Sequence, residues 1–136
     1  MNRKQARENA FLLLFESVAR KDTAFSEIFE GATVERDLEV DEYVKDVFFG
    51  VEENLAEIEE LIESCLVGWK KNRVSIASLA ILRLGAYELK YKNDIPALVT
   101  INEGVELAKK FDDEKTYSFV NGVLNAIAEK CGKKNA

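Results

Sequence analysis

Apolar side chains recur every three or four residues along almost the whole of this chain, the spacing that gathers them on one face of a helix. Ala6, Ala10, Leu13, Leu14 and Val18, with Phe11 alongside, predict a first helix from residue 2 to about residue 19. A short second helix fits residues 24–29, between Thr23 and Gly31. The longest pattern is Val44, Val47, Phe48, Val51, Leu55, Ile58, Ile62 and Cys65, about seven turns that can split in two, with Asp41 as its cap and Gly50 as a place to bend. Ser75 caps the next segment, in which Ile76, Leu79, Ile81, Leu82, Leu84, Ala86, Tyr87 and Leu89 cover nearly the full circumference and mark a central, buried helix. Pro96 occupies a first-helical-residue position after the turn "NDIP", and an amphipathic helix follows over residues 97–111. The last helix begins at "DDEK", where its acids suit the helix dipole, and ends near residue 130. No segment alternates with period two, so no sheet is predicted.

The stretch "SFVNGVLNAI" at 118–127 pulls two ways. Asn-Gly between apolar pairs is a strong hairpin signal. Yet Phe119, Val120, Val123, Leu124 and Ile127 share one helical face, and a hairpin here would have no sheet to join. The helical reading requires a reason for Gly122, which costs about 1 kcal/mol against alanine. Close approach of a neighbouring helix, with Asn121 bonding across the contact, supplies one, and predicts that Gly122→Leu overpacks. A kink serving a ligand surface is the alternative. The result is an all-α protein: a compact six- to seven-helix bundle in one domain over residues 1–130, with two packed sub-bundles as the other arrangement, and a frayed tail over 131–136.

A chain of 136 residues with 47% hydrophobic and 32% charged side chains is globular rather than disordered. No apolar run approaches the roughly 18 residues of a membrane span, and no secretory leader is evident. Cys65 and Cys131 form neither a metal-ligand pattern nor a disulfide framework, so cytoplasmic residence is the default.

The net charge of −6 conceals segregation. Residues 1–21 carry net +3, 22–63 net −13, 64–92 net +5, 93–114 net −4 and 115–136 net +3. Solvated helix faces explain this as well as a functional surface does. The functional version has "NRKQAR", "WKKNR" and the approach to "KTYSF" converging on one side to hold a polyanion. Arg3, Lys4 and Arg7 in the first turns of the first helix oppose the helix dipole, which points to a purpose other than helix stability. An acidic chain can make three to six phosphate contacts at most, and single-stranded RNA suits it, with Tyr117 or Phe111 beside lysines available for base stacking. Catalysis has little support: there is no histidine, no glycine-rich phosphate loop and no nucleophile motif. A non-enzymatic protein without cofactor or metal is the expectation.

Four stretches, in order, resemble the transcription antitermination factor NusB family: "QARENAFLLLFE", "LRLGAYEL", "IPALVTINEGVELAKKF" and "SFVNGVL". Together they span essentially the whole chain. The resemblance implies an RNA-binding adaptor that pairs with the small-subunit ribosomal protein NusE, holds the boxA element of nascent RNA, and with RNA polymerase suppresses premature termination, notably in ribosomal RNA operons. Carried to this sequence, the RNA-contacting positions are Arg3, Lys4 and Arg7, then Lys115, Tyr117 and Phe119. Gln5 interrupts what is often a denser arginine run, which thins the patch. The partner surface corresponds to Phe15 and Ser78, with Leu12 and Arg73 beside it. Core burial is the competing reading for Phe15 and for Phe119. On this reading Arg7→Glu weakens RNA binding with thermal stability almost unaltered.

Arg83, inside an otherwise apolar helix, calls for an acidic partner; Glu103 is one candidate, and a snorkelled surface arginine is the alternative. Two rival functions remain: a self-associating interaction module, which allows a homodimer, and the related helical domain of a ribosomal RNA methyltransferase. No cofactor-binding segment supports the latter.

Overall fold

Helix α5 (Ile76–Tyr91) is the axis of the computed structural model, which describes residues 1–68 and 71–133. Around it pack α1 (Arg3–Ala19), α3 (Glu42–Glu53), α4 (Leu55–Ser64), α6 (Ala97–Phe111) and α7 (Thr116–Lys130), while α2 (Phe25–Glu30) lies against α1. Twelve of the sixteen α5 residues are buried, as its apolar circumference predicts. The described residues contain helices and turns and no strand, and their buried apolar side chains form one core cluster.

Local chemistry explains most boundaries. Asn2, Asp41 and Ser75 each accept a backbone N–H three residues on, from Gln5, Val44 and Ser78, and so cap α1, α3 and α5. The long pattern from Val44 to Cys65 divides at Asn54 rather than at Gly50. Asn54 leaves helical geometry, and both its backbone N–H and its side-chain amide return to the Gly50 carbonyl. Gly31 does not end the second helix: the chain continues through a π-helical turn, Gly31–Glu35. The acids of "DDEK" precede α7 instead of forming its first turn, because Asp112 is drawn back to α5.

α7 is helical through Asn121-Gly122, but the reason offered for the glycine fails. Gly122 is exposed, and a Cβ there would have nothing within 4 Å. The close approaches lie elsewhere. A Cβ on Gly85 or Gly104 would collide with Leu124, and one on Gly50 with the ring of Tyr87. Asn121 lies on the exposed face, where its carbonyl accepts from Asn125. Gly122→Ala is therefore expected to raise stability by about 0.5–1 kcal/mol through helix propensity, read as a rise in the urea midpoint with an unchanged slope. Gly122→Leu should not overpack.

Arg83 finds a carboxylate, though not Glu103. Its Nε donates to Glu59 of α4 at 2.5 Å, while Glu103 faces Lys4. At the other end of α5, the Lys133 ammonium donates to the carbonyls of Glu88, Lys92 and Ile95 at 3.3, 2.7 and 3.0 Å, satisfying acceptors that a helix C-terminus leaves open. Residues 134–136, the remainder of the expected tail, lie outside the described residues.

Candidate nucleic-acid and partner interface

The basic side chains of α1 go three separate ways. Lys4 is exposed and reaches toward α6, its Nζ 3.6 Å from Glu103. Arg3 is exposed, its guanidinium 4.3 Å above the ring of Tyr43 on α3. Arg7 turns inward and is only 4% exposed. Its Nε donates to Glu88 of α5 at 3.0 Å, and Tyr43 and Thr100 also give their hydroxyls to that fully buried carboxylate. Burial alone would lower the pKa of the Arg7 guanidinium; Glu88 and Tyr43 beside it more than reverse that. Burial, reinforced by the Glu88 charge, pushes the Tyr43 phenol well above its ordinary value and keeps it a donor. Arg7 therefore offers no surface for a phosphate, and its place among the exposed contact residues is corrected by this burial.

The corner between α6 and α7 carries the second basic group. Lys109, Glu114, Lys115, Tyr117 and Ser118 line an open cleft of about 700 Å³, with the Lys109 ammonium 5.2 Å from the Tyr117 ring. Tyr117 is exposed enough to receive a base, whereas Phe119 is half-buried against the core. Phe111 is committed to Phe11, their ring centres 4.9 Å apart, and is not a stacking platform. Sequence reasoning missed Lys109 and Ser118. Lys109 was hidden inside a segment of net negative charge, and only the helical register that turns it toward Tyr117 reveals it.

α6 joins these two groups. Lys4 meets it at Glu103 and Glu8 meets it at Lys110, so side chains of α1 and α6 bridge the two helices at two points. Glu103 and Lys109 are six residues apart on α6, about 9 Å along the helix axis and about 120° around it, so Lys4 and the Tyr117 cleft adjoin the same helix from different sides. Glu8, Glu103 and Glu106 line a cleft together with Lys4 and Lys110 and temper the potential there. Of "WKKNR", Lys71 turns to α4, where it binds Glu59 and Glu63, and Trp69 and Lys70 lie outside the described residues.

The residues assigned to a protein partner also separate. Leu12 and Phe15 are 38% and 37% exposed on α1, at the mouth of a cleft of about 570 Å³ floored by Leu13, Ala32 and Leu38. Glu16 closes one side by binding both Arg20 and Arg36, at 2.6 and 2.5 Å. Arg73 is exposed on a 3₁₀ turn, Lys71–Arg73. Ser78, at 1% exposure, is not a surface residue; its hydroxyl donates to Asp112 at 2.9 Å, beside that of Ser75 at 2.5 Å. Burial pushes the Asp112 carboxyl up, but hydrogen bonds from Ser75, the Asp113 amide, Ser78 and Thr116 outweigh it and hold it below the usual range. That carboxylate ties the start of α5 to the turn leading into the Tyr117 cleft.

The chain matches the NusB family over residues 4–129. It belongs to the NusB family. The transcription antitermination protein NusB of Clostridium perfringens strain SM101 is 40% identical over 131 residues, covering 93% of this chain and 96% of the relative. That of Clostridium botulinum strain Alaska E43 is 42% identical over 136 residues, covering 96% and 100%. The fold is similar to that of T. maritima NusB, with a TM-score of 0.82 at 35% identity over 96% of this chain and 92% of that one. It is also similar to a chain in a crystal structure of the antitermination factors NusB and NusE in complex with dsRNA, with a TM-score of 0.79 at 32% identity over 94% and 96%. NusB-family proteins are transcription antitermination factors and not enzymes. The family resemblance and the all-helical fold expected from the sequence both stand. No helix among the described residues is long and apolar enough to cross a membrane.

Proposed function

We propose that this antitermination factor holds single-stranded RNA of boxA type jointly with NusE, within the antitermination complex of RNA polymerase in the cytoplasm, and that it serves ribosomal RNA operons. The observation that carries the reading is the open Lys109–Lys115–Tyr117 cleft at the C-terminal end of α6, with the exposed Lys4 beside Glu103 of the same helix. Cations beside an exposed ring suit phosphates next to an unpaired base. The likeness to a NusB chain solved with NusE and RNA supports both partners. A net charge of −6 explains why a second protein would share the site.

NusE is assigned to the cleft at Leu12 and Phe15, where partly exposed apolar side chains meet a charged rim. Self-association through the same cleft is the rival, and sedimentation with and without NusE separates the two.

The test is a titration of a boxA-type single-stranded oligoribonucleotide followed by fluorescence anisotropy. About three phosphate contacts give a slope near −2 in log affinity against log salt, a loss of about 20-fold between 50 and 200 mM. NusE should tighten binding, and Lys115→Glu should weaken it. Equal affinity for a matched duplex overturns the single-strand assignment, and indifference to salt overturns the cationic edge.

A further inference from the structure

Two arginines flank one tyrosine, and they use it differently. Arg7 lies 5.5 Å from the Tyr43 ring but spends its N–H edge on Glu88. Arg3 lies 4.3 Å from the ring, and no carboxylate among the described residues pairs with it. A cation–π contact holds a guanidinium through the ring and consumes none of its five N–H donors. Arg3 is thus fixed in place with its hydrogen-bonding capacity unspent, the condition in which a phosphate can be met in fork geometry at small entropic cost.

Tyr43 is itself fixed. It is 6% exposed, and its hydroxyl donates to Glu88, which also binds Arg7 and Thr100. The surrounding turn is anchored as well. Asn9 donates to the Glu39 carbonyl at 2.8 Å, and the Met1 ammonium lies 3.9 Å from the Glu39 carboxylate. The chain just before α3 thereby holds residues 1–9 from one side. Nearby Lys92 is neutralised by Asp46 at 2.9 Å, which leaves Arg3 as the unspent cation there among the described residues.

We propose that Tyr43 is a positioning residue that presents Arg3 to an RNA phosphate and so extends the binding edge around the start of α1 toward α3. This rests on the RNA reading above and adds to it a residue that touches no RNA itself.

The test combines RNA titration with ¹⁵N relaxation of the Arg3 Nε–Hε group. The probe is the single-stranded oligoribonucleotide and the protein is the full chain. Arg3→Ala and Tyr43→Leu should each lower affinity about five- to tenfold at low salt and flatten the salt slope by about 0.7, the share of one phosphate. The double variant should bind no more weakly than either single one. Arg3 Nε should be ordered in the native chain, mobile in Tyr43→Leu and ordered again in Tyr43→Phe, which keeps the ring and recovers most of the affinity. Native affinity in Arg3→Ala, a surface change that leaves the core intact, overturns the proposal even if Tyr43→Leu does not fold. So does a mobile Arg3 in the native chain, or additive losses in the double variant. A native chain with an ordered Arg3 that binds no RNA at any salt overturns the RNA reading instead, and Arg3's task with it.

Discussion

Arg7→Glu is expected to destabilise the fold severely, by at least the 3–5 kcal/mol, roughly, that removing one partner of a buried ion pair costs. The substituted carboxylate would face that of Glu88, which is fully buried and has Arg7 as its only cationic donor among the described residues. Two like charges with no route to water leave the structure a choice between protonating one and opening the seam between α1 and α5. A melting temperature lower by about 10–20 °C follows for a domain of this size. The sequence reading expected the reverse, since an arginine in a basic first turn looks like a surface cation. Thermal unfolding followed by circular dichroism decides the matter. Lys4→Glu is the control: Lys4 is exposed, and its change should stay within about 0.5 kcal/mol. An Arg7→Glu chain with a native melting temperature would show that the guanidinium is not where the structure puts it. Replacing Arg7 and Glu88 together with apolar residues should recover much of the loss, because the cost lies in the stranded charge.

Gly50→Val is expected to cost about 2–3 kcal/mol by overpacking. A Cβ at Gly50 would fall less than 3.0 Å from three atoms of Tyr87, and the extra methyls of valine would go further into the ring. Tyr87 cannot easily swing aside: its hydroxyl donates to Asp46 at 2.8 Å, and its ring packs against Tyr91. The side chain is planar and stiff, so α3 and α5 would have to separate. Chemical denaturation should show a lower midpoint, and the Tyr87 fluorescence or ring-proton signals should shift. Gly122→Ala is the matched comparison, because it adds a methyl in the open and should move stability the other way. A neutral Gly50→Val would mean that α3 has room to move.

The contrast between these two glycines shows what the chain's pattern can and cannot convey. Helical periodicity placed α1, α5 and α6 and the end of α7 nearly to the residue, because burial of a face leaves a repeat that can be counted. The caps at Asn2, Asp41 and Ser75 are local, three residues from their donors, and the latter two were legible for the same reason. A glycine's neighbour lies on another helix and leaves no trace beside it in sequence; Gly122 was the conspicuous one, whereas Gly50 was the one in contact. Arg7, Ser78 and Arg83 were misread for a related cause. A polar residue in a helix can face water or a buried acceptor, and only the opposite helix determines which. Lys109 was missed because charge summed over a segment ignores which way each side chain points. The family resemblance supplied positions in α1 and α7 but not the fact that α6 lies between them.

The bond from Arg7 to Glu88 joins residues 81 apart in sequence. Loop-closure entropy makes so distant a pairing a late event in folding. As the chain leaves the ribosome, α1 precedes α5, and the charge of its Arg7 goes unmatched until α5 follows. Until then the part of its apolar face that α5 covers is open to chaperones or to neighbouring chains. A helix made before α5 is thus among the last to acquire its final surroundings, and any early grip on nucleic acid must wait for that moment.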